Sequence, residues 1–323
     1  MRDDIMREIS LGNGEIKASQ VALGIMRMGA KSVTEAQNIL ETVADQGLNF
    51  IDSADIYHDG HSEEVFGQAL KQSSLKREDL IIQSKAGIVL EHSRTTADGL
   101  VFGKRYDFSK EHLLTAVDGI LSRMGLDYLD SFLLHRPDPL MEVDEVAEAF
   151  NQLQASGKVR AFGVSNFNSR QIDLLQSAVD QKLIINQVQL SLKHTPLIDQ
   201  GIFVNRFEDE ASDRTGGMLE YAQQNKITLQ AWSPYQYGMF KGVFIDNPKF
   251  PELNQVLQAV AAKYGVTKNA IATAWITRLP QDIQVILGSM NPVHLKESLA
   301  GADIRLTRQE WYDLYLAAGH QLP

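Results

Sequence analysis

The chain has 323 residues, 44% hydrophobic and 22% charged, with a formal net charge of −10 and no cysteine. The length suits one α/β barrel with loop insertions, and the negative balance argues against a surface for nucleic acid or anionic lipid. Without cysteine, disulfides, thiolate catalysis and Cys-rich metal sites are excluded. Met1-Arg2-Asp3-Asp4-Ile5 has no basic stretch leading into an apolar run. Nor does any apolar run reach the roughly 18 residues of a membrane span. The expectation is a cytoplasmic protein with neither secretory signal nor membrane partner.

In chain order, Glu8–Leu11, the turn Gly12-Asn13-Gly14 and Glu15–Ala18 read as a β-hairpin, since Asn-Gly favours the positive φ of a tight turn. Short apolar runs then alternate with amphipathic stretches. The expected strands are Val21–Met26, Phe50–Asp52, Leu80–Ser84, Ser131–Leu134, Ala161–Val164, Asn186–Gln189, Thr228–Ala231 and Gln284–Leu287. The expected helices between and after them are Val33–Gln46, Ser62–Lys71, Lys110–Met124, Asp144–Ser156, Arg170–Ala178, Met218–Asn225, Leu253–Tyr264 with Lys268–Arg278, and Pro292–Ala300. A last helix, Arg308–Ala318, follows the eighth strand, and Gly47, Gly125 and Gly157 are helix stops.

Eight βα units without a break in composition indicate an α/β protein, a (β/α)8 TIM barrel forming one domain over residues 1–323. It carries an N-terminal β-hairpin and a C-terminal extra helix. A doubly wound sheet would want G-x-G-x-x-G after its first strand, which Leu23-Gly24-Ile25-Met26-Arg27-Met28-Gly29 does not supply. The longest irregular stretches, about 89–106, 193–215 and 234–248, all follow strands and so fall on the face where barrels keep their chemistry.

Polar residues at the ends of those strands are few: Asp52 to Tyr57, Ser84-Lys85, His135-Arg136-Pro137, Ser165-Asn166, Gln187 and Trp232-Ser233-Pro234. Reducing a carbonyl by hydride transfer needs a proton donor for the developing alkoxide. A phenol is a poor acid near pH 7 unless a cation lowers its pKa. Lys85 could supply that charge to Tyr57, Asp52 could hold the ammonium, and His135 could orient the substrate oxygen.

Asn49 to Tyr57, with Gly60 and Ser62-Glu63-Glu64-Val65-Phe66-Gly67, resembles the aldo-keto reductase signature around its catalytic Asp and Tyr. Leu126-Asp127-Tyr128-Leu129-Asp130 with Leu133-Leu134-His135-Arg136-Pro137 resembles the second signature, ending in the catalytic His. Gly157-Lys158-Val159-Arg160 with Gly163-Val164-Ser165-Asn166-Phe167 is a third match. The stretch from His135 to Leu140 is most similar to an uncharacterised bacterial oxidoreductase branch of the family. The resemblance runs from about Leu23 to Ser298 with the motifs in family order.

It implies Asp52, Tyr57, Lys85 and His135 as catalytic residues and NADP(H) as cofactor, with NAD(H) second. Ser165, Asn166 and Gln187 would bond the nicotinamide carboxamide, and Trp232, where the family usually has Tyr, would stack on the ring. Ser233, Pro234 and Tyr235 would border the pyrophosphate. Gly288 and Ser289 would meet the adenosine phosphate, with His294, Glu297 and Ser298 on the helix that follows. Gly24, Met26 and Arg27 complete the implied cofactor set. The chain departs from the family in having neither Lys nor Arg at positions 288 and 294, and in having Ser298 for the usual Asn.

Singly, each of these residues has a plainer reading: a loop Asp, a solvated Lys, a structural His, a packing aromatic. Their place at the ends of consecutive strands favours chemistry. His58, His61 and His92 lack paired metal-ligand spacing, and no metal is expected. The expected partner is a small-molecule carbonyl substrate, with a monomer as default. The alternatives are a cofactor-binding regulatory or accessory protein with little turnover, and a barrel lyase or isomerase.

Overall fold

The computed structural model describes residues 6–12, 14, 16–94 and 103–323. The N-terminal stretch Met1–Ile5, Asn13 and Glu15 of the hairpin turn, and 95–102 within the irregular stretch 89–106 lie outside the described residues.

Two strands open the chain, β1 (Glu8–Leu11) and β2 (Ile16–Ser19), paired antiparallel with Leu11 opposite Ile16. The barrel strands follow as β3 (Val21–Gly24), β4 (Phe50–Asp52), β5 (Ile81–Ala86), β8 (Leu129–Leu134), β9 (Val159–Ser165), β10 (Leu183–Gln189), β11 (Thr228–Trp232) and β12 (Gln284–Leu287). Their order is β10-β11-β12-β3-β4-β5-β8-β9 in a closed barrel. Barrel neighbours pair in parallel, as β11 does with β12, β12 with β3, β4 with β5, β8 with β9, and β5 with β8, where Lys85 stands opposite Leu133.

The helices are α1 (Val33–Ala44), α2 (His61–Gln72), α3 (Lys110–Met124), α4 (Val143–Ala155), α5 (Ser169–Gln176), α6 (Pro196–Ile202), α7 (Met218–Asn225), α8 (Pro251–Tyr264), α9 (Lys268–Thr277), α10 (Pro292–Leu299) and α11 (Arg308–Ala317). This is the (β/α)8 architecture expected, with the hairpin before it and α11 after β12. Gly125 ends α3 in the left-handed conformation that glycine adopts without strain.

Three details differ from the sequence expectation. β3 stops at Gly24, so Met26 lies in the turn that follows. The stretch 193–215 contains α6, whose seven residues include Pro196 and Gly201 and are too short for a clear helical period. Within 89–106, Val89 and Arg105 belong to a small antiparallel pair, β6 (Ile88–Val89) with β7 (Arg105–Tyr106). Among the described residues, no helix is long and apolar enough to cross a membrane.

The chain divides into two compact units, one of Met1–Leu23, Thr42–Asn49 and Gln187–Pro323, the other of Gly24–Glu41 and Phe50–Asn186. In the second unit, Phe150 of α4 stacks on Phe162 of β9 at 4.2 Å between centroids. There α2 lies so close to α3 that a Cβ on Gly67 would come 2.4 Å from the Met124 carbonyl oxygen. In the first unit, Trp275 of α9 and Trp311 of α11 stack at 4.9 Å, and each indole N–H donates to the other's backbone carbonyl. That arrangement satisfies two buried donors while burying two large apolar surfaces.

Candidate active site

The second unit brings Asp52, Tyr57, Lys85 and His135 together. Asp52 ends β4, Lys85 lies one residue before the end of β5, and His135 follows directly after β8. Register aligns these ends, because Asp52 stands opposite Gln83 and Ala86 opposite Leu134. Backbone bonds then extend the ladder into the loops: Ser53 N–H to the Gln83 carbonyl, Asp55 N–H to Lys85, and His135 N–H to Ala86.

Tyr57 is delivered by a tight turn. Its N–H donates to the Ala54 carbonyl, and the three residues after it, His58, Asp59 and Gly60, are left-handed, with φ of 50°, 53° and 87°. Two consecutive non-glycine residues with positive φ are unfavourable locally, so the surrounding packing holds this turn.

The Lys85 ammonium is fully buried and donates three bonds: to Asp52 Oδ1 at 2.7 Å, Asp52 Oδ2 at 2.8 Å and the Ser53 carbonyl at 2.6 Å. Gln83 Nε2 donates to Asp52 Oδ1 at 2.6 Å, and the Ser131 hydroxyl donates to Gln83 Oε1. Burial favours loss of the Lys85 proton, but the Asp52 carboxylate, helped by Tyr57, outweighs it and holds the ammonium above the usual lysine range.

Lys85 Nζ lies 5.4 Å from the Tyr57 ring centroid, and the Tyr57 and His135 rings meet edge-on at 6.1 Å. Burial pushes the Tyr57 phenol above its usual value; Lys85 pulls it down, while Asp52 pushes it further up. The lowering by Lys85 that the sequence suggested is present, yet burial outweighs it, with Asp52 adding to the rise. Tyr57 is therefore a protonated acid at neutral pH. Burial, with the positive charges of Lys85, Arg136 and Lys104, holds His135 well below the usual imidazole range, so its ring is neutral. Its Nδ1 has no hydrogen-bond partner among the described residues.

The sequence reading assigned no role to three further residues around this set. Gln83 points to the same side of β5 as Lys85, a relation visible in the two-residue strand period. Arg136 is half-buried and contributes positive charge at Tyr57. Asp55 is the third. Burial pushes its carboxyl up to about 7, with Glu63 adding to the rise and Arg123 and Lys85 opposing it, and Asp55 Oδ1 is buried without a partner among the described residues.

The unfolded chain gives up the Asp55 proton near pH 4 and the folded chain near pH 7, so the fold holds more protons in that window. Stability from this group is therefore lost as pH rises from about 4 to about 7. Asp55→Asn should stabilise the protein over wild type by roughly 2–4 kcal/mol at pH 8, and by much less at pH 5. Urea unfolding at both pH values measures this; a difference independent of pH would contradict it.

The remaining candidates stand as follows. In the second unit, Gly24 is buried at the end of β3, Arg27 is exposed, and the Met26 carbonyl accepts from the Ser62 hydroxyl. Asn166, with φ 63°, donates to Ser165 Oγ at 2.8 Å and to the His135 carbonyl at 3.3 Å. In the first unit, Gln187 donates to Gln230, Gln230 to Gln284, and Gln284 to the Ser19 carbonyl, a ladder crossing β10, β11 and β12. Trp232 ends β11 half-buried, followed by Ser233 with φ 51° and by Pro234. The Tyr235 hydroxyl pairs with Thr273 Oγ1 at 2.7 Å.

The α10 end of the implied cofactor set is largely engaged with the protein itself. Ser298 donates to the His294 carbonyl, Glu297 accepts from Asn269, and Ser289 Oγ accepts from Asn291 N–H. Pro292 has no N–H, and Val293 N–H is capped by Asn291, so the start of α10 offers an anion fewer donors than an uncapped helix would. His294 is exposed. His61 and His92 each face a carboxylate, Glu64 and Asp59 respectively.

Comparison with known proteins adds the lineage. The chain is 32% identical to a 6-dehydroglucose reductase of Agrobacterium fabrum over 322 residues, covering 98% of this chain and 100% of that protein. It is 32% identical to the uncharacterized oxidoreductase YcsN of Bacillus subtilis over 323 residues, with 98% and 100% covered. Among solved structures, an aldo-keto reductase from Klebsiella pneumoniae in complex with NADPH superposes with a TM-score of 0.72 at 24% identity, covering 96% of this chain and 94% of that one. The Aldo/keto reductase family pattern matches residues 20–315, nearly the whole chain, and with the bacterial oxidoreductase relatives this shows that the protein belongs to the aldo/keto reductase family.

Proposed function

We propose that this protein reduces an aldehyde or ketone to an alcohol with NADP(H), and that Tyr57 is the proton donor. The observation that carries the proposal is one constellation: a buried Lys85–Asp52 pair, a protonated Tyr57 above it, and a neutral His135 against the Tyr57 ring.

A reduced nicotinamide, when bound, supplies the hydride. Tyr57 gives its proton to the alkoxide oxygen as negative charge develops there, and Lys85 stabilises the phenolate left behind. Asp52 keeps the ammonium in place. His135, neutral, offers a hydrogen bond that fixes the carbonyl oxygen without competing for the proton.

Taken unit by unit, the residues have the chemistry that a nicotinamide's carboxamide and ring require. In the second unit, Ser165 and Asn166 present a hydroxyl and an amide at the end of β9. In the first unit, Trp232 presents a flat indole, and the glutamine ladder holds Gln187 in place. The Klebsiella structure's NADPH and the family's habit support NADP(H). With Gly and His rather than Lys or Arg at 288 and 294, Ser289 and His294 are the groups that would meet a 2′-phosphate.

Fluorescence titration with NADPH and NADH tests the cofactor assignment. Saturable binding of NADPH, tighter than NADH, is expected. Binding of neither would remove the reductase reading, and preference for NADH would reassign the cofactor.

A further inference from the structure

Glu63 performs no step in the reaction above, yet its side chain has no contact with solvent. A buried carboxylate is tolerated only when its charge and lone pairs are met. Here both oxygens are met, and by residues tied to the site. Oε1 accepts from the Ser84 hydroxyl at 2.8 Å and from the Ser53 hydroxyl at 3.3 Å. Oε2 accepts from Arg123 of α3, through Nε at 2.9 Å and a terminal guanidinium nitrogen at 2.8 Å. Burial pushes the Glu63 carboxyl above its usual range, with Arg123, Ser84 and Ser53 opposing it, so its charge depends on these partners.

The identity of those partners matters. Ser84 immediately precedes Lys85 on β5. Ser53 immediately follows Asp52, and its carbonyl is one of the three acceptors of the Lys85 ammonium. Oε1 is thus a shared acceptor for hydroxyls on the two chain segments that carry the ion pair. Arg123 reaches the third segment. A Cβ on Gly60 would come 2.7 Å from Arg123 Cδ and Nε, so the guanidinium stem packs directly on the left-handed turn that follows Tyr57. One carboxylate and its counterion therefore stand behind Asp52, Lys85 and Tyr57 together.

The geometry points to Glu63, locked by Arg123, as a positioning residue that keeps the Lys85 ammonium in register with the Tyr57 hydroxyl, acting through Ser53, Ser84 and the turn at Gly60. Its catalytic consequence rests on the reductase reading; its geometric effect does not. Small errors in the spacing of a proton donor and its stabilising charge are costly, and the groups that fix a site's side chains set that spacing.

Two variants test this. Glu63→Gln keeps the volume and removes the charge that holds Arg123. Ser84→Ala removes one hydroxyl and leaves the Glu63–Arg123 pair, so the fold is retained. In apo-protein labelled with 13Cζ-tyrosine, with Tyr57→Phe as the assignment control, the Tyr57 titration midpoint should rise in both variants, by about half a unit or more in Glu63→Gln, as Lys85 loosens. With dinucleotide and carbonyl, kcat should fall about 10- to 100-fold in Glu63→Gln and about threefold in Ser84→Ala, while KM and dinucleotide Kd stay within about twofold. A wild-type Tyr57 titration and wild-type kcat in both variants overturn the proposal, as does lowered stability with neither change. Should the wild type itself reduce no carbonyl, the reductase reading fails, and the apo titration alone decides the role of Glu63.

Discussion

Tyr57→Phe is expected to lower kcat for carbonyl reduction by about 10²- to 10⁴-fold, the usual contribution of a positioned general acid. The loss should be confined to the chemical step. Phenylalanine retains the ring that meets His135 edge-on at 6.1 Å and leaves the Lys85–Asp52 pair intact. Dinucleotide affinity should therefore change by no more than about twofold, and kcat and kcat/KM should fall together. The fold should not suffer, because burial already disfavours the phenol's charged form and the substitution removes only a hydroxyl. Steady-state kinetics beside a dinucleotide titration check this. Near-normal turnover in the variant would mean that another group donates the proton.

The second large effect is on stability as well as rate. Lys85 is fully buried and supplies both oxygens of Asp52, itself 2% exposed, with their cation. Lys85→Met would take from that carboxylate its cation and two of its donated bonds, while the Gln83 bond stays. Removing one member of a buried ion pair costs about 3–5 kcal/mol, most of it the penalty of an uncompensated charge. Turnover should be lost at the same time. The double variant Asp52→Asn/Lys85→Met removes both charges, and it should recover much of the stability while remaining inactive. Urea unfolding of the single and double variants, with activity beside it, separates the two consequences. A double variant no more stable than Lys85→Met would show that the loss arises from packing.

These effects also mark what can be read without coordinates. The eight strands are short apolar runs, so their places along the chain are legible though some limits shift by two or three residues, and Asp52, Lys85 and His135 fall at or beside strand ends. The helices Lys110–Met124 and Met218–Asn225 match their sequence limits to the residue. Local brevity hid α6, with proline and glycine among its seven residues, and the two-residue strands β6 and β7.

Burial and pairing hid more. Nothing in the order of residues says that burial outweighs Lys85 in setting the direction of the Tyr57 shift. Likewise Glu63 lies within a family motif, yet its link to Ser53, Ser84 and Arg123 joins residues up to 60 positions apart. Ser298 carried an implied cofactor role, whereas its hydroxyl donates to the His294 carbonyl one helical turn earlier. Competition between local and ligand hydrogen bonds of this kind is not visible in a motif.

Hydride transfer to a carbonyl, the proposed reaction, consumes one reduced dinucleotide per alcohol formed. The most direct measurement is NADPH consumption by the wild-type protein across a panel of aldehydes and ketones, with the alcohol product quantified in parallel. One alcohol formed per NADPH consumed is the predicted result. Tight NADPH binding with no consumption across the whole panel would contradict the claim.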